Sequence, residues 1–192
     1  MRTTTFVLLL LLASWSGLHG QEMPDSVRTR LCLTSRSIAE SGEPVEREKW
    51  ALDVVPVCPA PEAGRSLATA IQRLKSSTDT TTLRILWRSA RGLEDANVLG
   101  AALSVLQDGT ASLEARVGAV MGLHHMLNLN AQTSFTYLLH GGCGNQTTVA
   151  TERRTGDPLP ADFRQRIMQA RQALDASPAT PPRLKAVLHC AM

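Results

Sequence analysis

The chain has 192 residues, with 20 lysines and arginines against 17 aspartates and glutamates, a net charge of +3 and only 4% aromatic residues. That balance supplies neither the dense basic face nor the stacking side chains of a nucleic-acid binder, and a carbohydrate-stacking surface is equally short of material. Beyond residue 20 the aromatics are Trp50, Trp87, Phe135, Tyr137 and Phe163. The length suits one domain with a sizeable core.

At the N-terminus, Arg2 precedes an apolar run over 6–13, and small residues follow through Gly20. This is the pattern of a secretory signal peptide. Ser14, Ser16 and Gly17 interrupt the run well short of the roughly 20 apolar residues that span a bilayer, so no stable membrane anchor is expected. The expectation is a signal peptide over 1–20, cleaved after Gly20 or near Ser14-Trp15-Ser16, and a single helical domain over 21–192. The mature protein is then extracytoplasmic, in a periplasm or outside the cell. In that setting Cys32, Cys58, Cys143 and Cys190 are expected to form disulfides. Four cysteines allow three pairings; proximity favours Cys32 with Cys58 and Cys143 with Cys190, each worth about 3.5–4 kcal/mol at most in the chain-entropy view. A metal site is disfavoured, because no C-x-x-C pair exists and His140 with Cys143 provides only two ligands. No metal or other cofactor is expected.

Helical signals dominate the rest. Residues 27–40 read as a helix stopped by Ser41-Gly42. Pro44, Pro56, Pro59 and Pro61 then allow at most a short helix around 46–54 before an extended stretch through Cys58. Pro61 suits the start of the next helix. Leu67, Ala70, Ile71 and Leu74 share a helical stripe that recurs 32 residues later as Leu99, Ala102, Leu103 and Leu106. Leu83, Trp87, Ala90 and Leu93 recur 30 residues later as Leu113, Val117, Val120 and Leu123. Two helical hairpins of about thirty residues therefore follow one another over 62–129, a period typical of solenoids.

The run Val98-Leu99-Gly100-Ala101-Ala102-Leu103-Ser104-Val105-Leu106-Gln107-Asp108-Gly109 is followed by Ser112-Leu113-Glu114-Ala115-Arg116-Val117-Gly118-Ala119-Val120. Together they resemble a HEAT-type repeat, in the acidic turn and in the valine-rich second helix with its inner Arg116. The resemblance covers about 67–127, and the first copy departs from it at Thr80-Thr81-Thr82. It implies a scaffold that binds another protein in a groove and carries no catalytic centre.

Further on, 132–139 reads as a helix ended by Gly141-Gly142. Residues 143–160 form a polar loop rich in Thr, Gly and Pro, with a glycosylation pattern at Asn145-Gln146-Thr147. A clean helix over 163–176 is entered through Pro160, and Pro181-Pro182 opens a last one reaching Cys190.

Catalytic constellations are sparse. His140-Gly141-Gly142 is similar to the oxyanion loop of lipases, but the partner G-x-S-x-G turn is missing and a glycine C-cap explains the motif. Cys143 with His140 or His189 is a possible thiol pair that a disulfide would remove. Adjacent His124 and His125 point about 100° apart on a helix and cannot clamp one metal, so one should pack while the other meets solvent. Arg84, Arg88 and Arg91 share a helix face, a solvated outer face or a set of guanidinium forks for an acidic partner segment. The fold class read from all this is all-α: a short stack of antiparallel helical hairpins, α-solenoid-like or an irregular bundle, braced by disulfides. The function read is an exported, non-catalytic domain that binds another protein, the alternative being a small exported hydrolase or thiol enzyme using the Cys143 region.

Overall fold

The computed structural model describes residues 26, 27, 30, 58, 60–90, 92–127, 131–132, 147–148 and 154–192. Within them lie six helices: α1 (Ala60–Arg73), α2 (Thr80–Ser89), α3 (Ala96–Gln107), α4 (Leu113–Leu127), α5 (Phe163–Ala176) and α6 (Pro182–Ala191). The last two match the sequence expectation closely. Four two-residue strands accompany them: β1 (Leu93–Glu94), β2 (Ala131–Gln132), β3 (Thr147–Thr148) and β4 (Arg154–Thr155). Gln132 is thus in a strand where a helix was expected to begin, and the polar stretch 143–160 contributes β3 and β4. Alternation over two residues is too short to register as a strand pattern.

The helices form a ladder of three hairpins in two rows. In one row α3 lies between α1 and α5; in the other α4 lies between α2 and α6. The rungs are α1 with α2, α3 with α4, and α5 with α6. The stripe of α5 shows why it joins: Ile167, Ala170 and Leu174 are buried on one side, at the same spacing as Leu99, Ala102 and Leu106. The chain between α4 and α5 returns to the rest through β4, which pairs in parallel with β1, Leu93 opposite Arg154 and Glu94 opposite Thr155. Gly92 makes the bend ahead of β1 with φ of 77°, a conformation that glycine adopts without strain.

Helix α4 is the centre. Every residue from 115 to 126 is buried, because apolar and small residues run right round it and leave no polar face. Trp87 of α2 lies against it through Gly118 and Gly122, one turn apart. A Cβ at Gly118 would fall 2.0 Å from Trp87 Nε1, and one at Gly122 would fall 2.4 Å from Cζ3. The missing side chains make the slot that the indole fills.

Several basic side chains serve helix ends. The four final carbonyls of a helix lack partners inside it and carry partial negative charge. Here basic side chains from neighbouring segments supply donors. Arg116 Nε donates to the Leu106 carbonyl at the end of α3 (3.0 Å), and Arg164 to Leu127 at the end of α4 (3.3 Å). Lys185 donates to the Asp175 carbonyl in the last turn of α5 (2.6 Å). His124 donates to the Ala191 carbonyl and Arg171 to that of Met192, at the end of α6. At the other ends, Asp79 caps α2 by accepting from the Thr81 and Thr82 amides, and the Ser112 hydroxyl accepts from the Ala115 amide in α4.

Glycines in two neighbouring helices should respond oppositely to alanine. Gly118→Ala is expected to destabilise the protein by about 1–3 kcal/mol through overpacking against Trp87. Gly100→Ala, whose Cβ would meet nothing within 4 Å, is expected to stabilise by about 0.5–1 kcal/mol. Urea unfolding of both variants beside the wild type measures the two signs.

Candidate functional site

An open concavity lies between α3 and α5, with a volume of about 740 Å³. Its shape follows from which residues α3 exposes. Val98, Leu99, Ala101, Ala102, Leu103, Val105 and Leu106 are buried. Gly100, Ser104 and Gln107 are the exposed residues of this helix and share one narrow stripe lining the groove. Gly100 and Ser104 project little, so the floor is low. From α5, Arg166, Gln169 and Ala173 form the facing wall.

Charge is arranged along the groove. At the C-terminal end of α3, Asp108 is an occupied carboxylate: Lys75 Nζ donates to it at 2.9 Å, and the Thr110 amide and hydroxyl donate at 2.8 and 2.6 Å. The Lys75 bond above all, then those from Thr110, hold the Asp108 carboxyl well below its usual range. The same junction joins the turns of two hairpins, since the Ser112 amide donates to the Lys75 carbonyl (2.8 Å) and its hydroxyl to the Ser77 carbonyl (2.5 Å). The guanidinium of Arg166 is exposed and makes no hydrogen bond or ion pair among the described residues.

The N-terminal end of α3 is held by Asp95, which is fully buried. One carboxylate oxygen accepts from the Asn97 and Val98 amides (2.8 and 3.2 Å) and the other from the Asp157 amide (2.7 Å). Gly64 of α1 and Gly156 beside β4 leave the room it needs, for a Cβ at either would come within 2.2 Å of the carboxylate. Around it Arg65 reaches Glu62 (2.5 Å) and Asp157 (3.3 Å), and Asn97 donates to Asp157 (2.8 Å). This cluster ties α1, α3 and β4 together.

The residues singled out from sequence scatter. Arg84 and Arg88 are exposed on α2, away from the α3–α5 groove, while α2 ends at Ser89 and Arg91 lies outside the described residues. Cys58 and Cys190 are disulfide-bonded, and no described cysteine is free. Cys32, Cys143, His140 and the signal segment 1–20 lie outside the described residues. His189 is exposed on α6 and pairs with Asp175 (2.9 Å). Contrary to expectation, His124 and His125 are both buried, at 6% and 5% exposure, because α4 is enclosed on every side. Burial pulls the pKa of His124 below its usual value despite its bond to the Ala191 carbonyl. Arg116, read as an inner residue, is indeed buried and serves the end of α3.

Sequence reasoning missed Gly100, Gln107, Arg166 and Gln169. The available signal was Gly100, a glycine inside a strong helical pattern with no turn to explain it. Comparisons with protein families, with curated proteins and with solved structures found no match to this chain. Among the described residues no helix is long and apolar enough to cross a membrane.

Two stability predictions follow from the residues that hold α3 and α6. Asp95→Ala should cost about 2–4 kcal/mol, by losing the cap and stranding the Asp157 amide. Asp157→Ala removes a half-exposed partner of Arg65 and should cost about 1 kcal/mol or less. Chemical denaturation of the pair measures the difference. The second concerns pH: because His124 has a lower pKa folded than unfolded, the unfolded chain binds more protons below about pH 6.5. Stability is therefore full above that pH and declines as pH falls below it. Asp79, lowered chiefly by the Thr82 hydroxyl, and Asp108 add their own loss only below about pH 4. Unfolding curves at pH 7.5 and 5 should show a smaller decline for His124→Asn than for the wild type, and equal declines would contradict the assignment.

Proposed function

We propose that this chain is an exported, non-catalytic protein-binding domain, a disulfide-braced stack of helical hairpins of the HEAT-like kind. The single observation that carries the reading is the groove between α3 and α5, which runs across two successive hairpins. Stacked hairpins bury their apolar stripes against one another and offer partners the seams between helices of one row. The groove also has the mixed lining of a recognition surface. Its free functional groups are a guanidinium, two amides and a hydroxyl, on Arg166, Gln107, Gln169 and Ser104. These suit hydrogen bonding to another chain.

In this reading residues 1–20 direct export and are removed, and the domain acts outside the cytoplasm. Cys32 pairs with Cys58 and Cys143 with Cys190, which braces the segment ahead of α1 and anchors α6. Arg84 and Arg88 provide a secondary contact surface on α2.

Crosslinking in the native compartment, followed by capture of the full processed protein, tests this. Wild type should recover one specific protein, and Gly100→Trp should lose it while keeping its circular dichroism and Tm. A Cβ at Gly100 meets nothing within 4 Å, and the unchanged circular dichroism and Tm show that the variant keeps its fold. Titration of the unreduced protein should find no reactive thiol. A rapidly alkylated Cys143, or partner recovery indifferent to Gly100→Trp, would contradict the proposal.

A further inference from the structure

Resting on the protein-binding reading, we infer that the occupant of the α3–α5 groove is an extended acidic peptide segment of about four residues, with a carboxylate held by Arg166. Three features of the groove lead to this.

The first is width. Helices α3 and α5 pack directly on one another, and packed helix axes lie about 8–10 Å apart. The small side chains of Gly100, Ser104 and Ala173 keep the lane along that seam low, and a single extended strand can lie in it with its main chain close to the floor.

The second is length. From Gly100 to Asp108 the α3 axis advances about 12 Å, at about 1.5 Å per residue. Four extended residues cover about 13 Å. Gln107, Gln169 and Ser104 are placed along that path with both donors and acceptors, so a main chain of either direction finds partners.

The third is charge. Two charged groups line the groove, and they differ in what they already hold. Asp108 is occupied by Lys75 and by Thr110, so it neither seeks a cation nor stands as a bare repulsive charge. Arg166 is unclaimed: the backbone carbonyl of Asp162, the N-cap of α5, accepts from its backbone amide, and no ion pair with the Asp162 carboxylate is formed. A guanidinium fork matches a carboxylate with two parallel hydrogen bonds. Electrostatic preference for an acidic guest follows, with weakening as salt is raised.

The test uses acetylated, amidated tetrapeptides of alternating alanine with glutamate, glutamine or lysine, titrated into the full processed protein and followed by amide NMR shifts. The account expects shifts at 100–108 and 166–173. The glutamate peptide should bind about three- to fivefold more tightly than the glutamine peptide, and the lysine peptide more weakly than either. Arg166→Gln should bring it to within about twofold of the glutamine peptide, and Gly100→Trp should abolish binding of all three. Equal binding of the glutamine and glutamate peptides, unchanged in Arg166→Gln but blocked by Gly100→Trp, would overturn the acidic class while the protein-binding reading stands. No groove shifts with any peptide, together with partner capture unaffected by Gly100→Trp, would overturn the groove as the site and move partner binding elsewhere on the domain. Failure of both peptide binding and partner capture would remove the two readings together.

Discussion

Helix α4 has no polar side to offer water, so the rest of the domain is arranged to cover it. Twelve consecutive positions, 115–126, are buried. A helix of this composition is stable only when packed on every face, and among the described residues α2, α3, α6 and β2 are its neighbours. Trp87 from α2 is the most demanding of these contacts, since it depends on glycines at two positions of α4. Where α4 does carry polar groups, they work inward: Arg116 serves the end of α3 and His124 the end of α6. The enclosure thus also supplies the donors that neighbouring helix ends need.

From that centre the positions of the outer parts follow. In the other row, α1–α3–α5, the seam between α3 and α5 opens as the groove. Asp95 at one end of α3 and the Lys75–Asp108 junction at the other hold the groove floor in register with α1. Exposed ion pairs contribute modestly to stability, so their role here is positional. The buried Asp95 carboxylate, with three amide donors, is the stronger constraint.

Much of this was legible in sequence. The apolar spacing around Leu67, Leu99, Leu83 and Leu113 marked four helices, and prolines placed the starts of α1, α5 and α6. Composition also contained the enclosure of α4, because 115–123 holds apolar and small residues on all sides apart from Arg116; the 100° between His124 and His125 points one of them to solvent only on a helix with an open face, and α4 has none. What sequence did not reveal was tertiary. Membership of α5 and α6 in the ladder depends on a return of the chain after more than thirty intervening residues, secured by a β1–β4 pair too short to leave a pattern. The groove joins Gly100 to Arg166, residues with no local relation. Asp95 looked like any residue ahead of a helix until Gly64 and Gly156 proved to be shaped around it.

Amide hydrogen exchange resolved to single residues tests the central place of α4 most directly. The account predicts that amides over 117–126 exchange only by global unfolding, with an opening free energy equal to that from denaturant, while amides of α5, packed on one side only, exchange sooner. Exchange of the α4 amides ahead of those of α5 would contradict it.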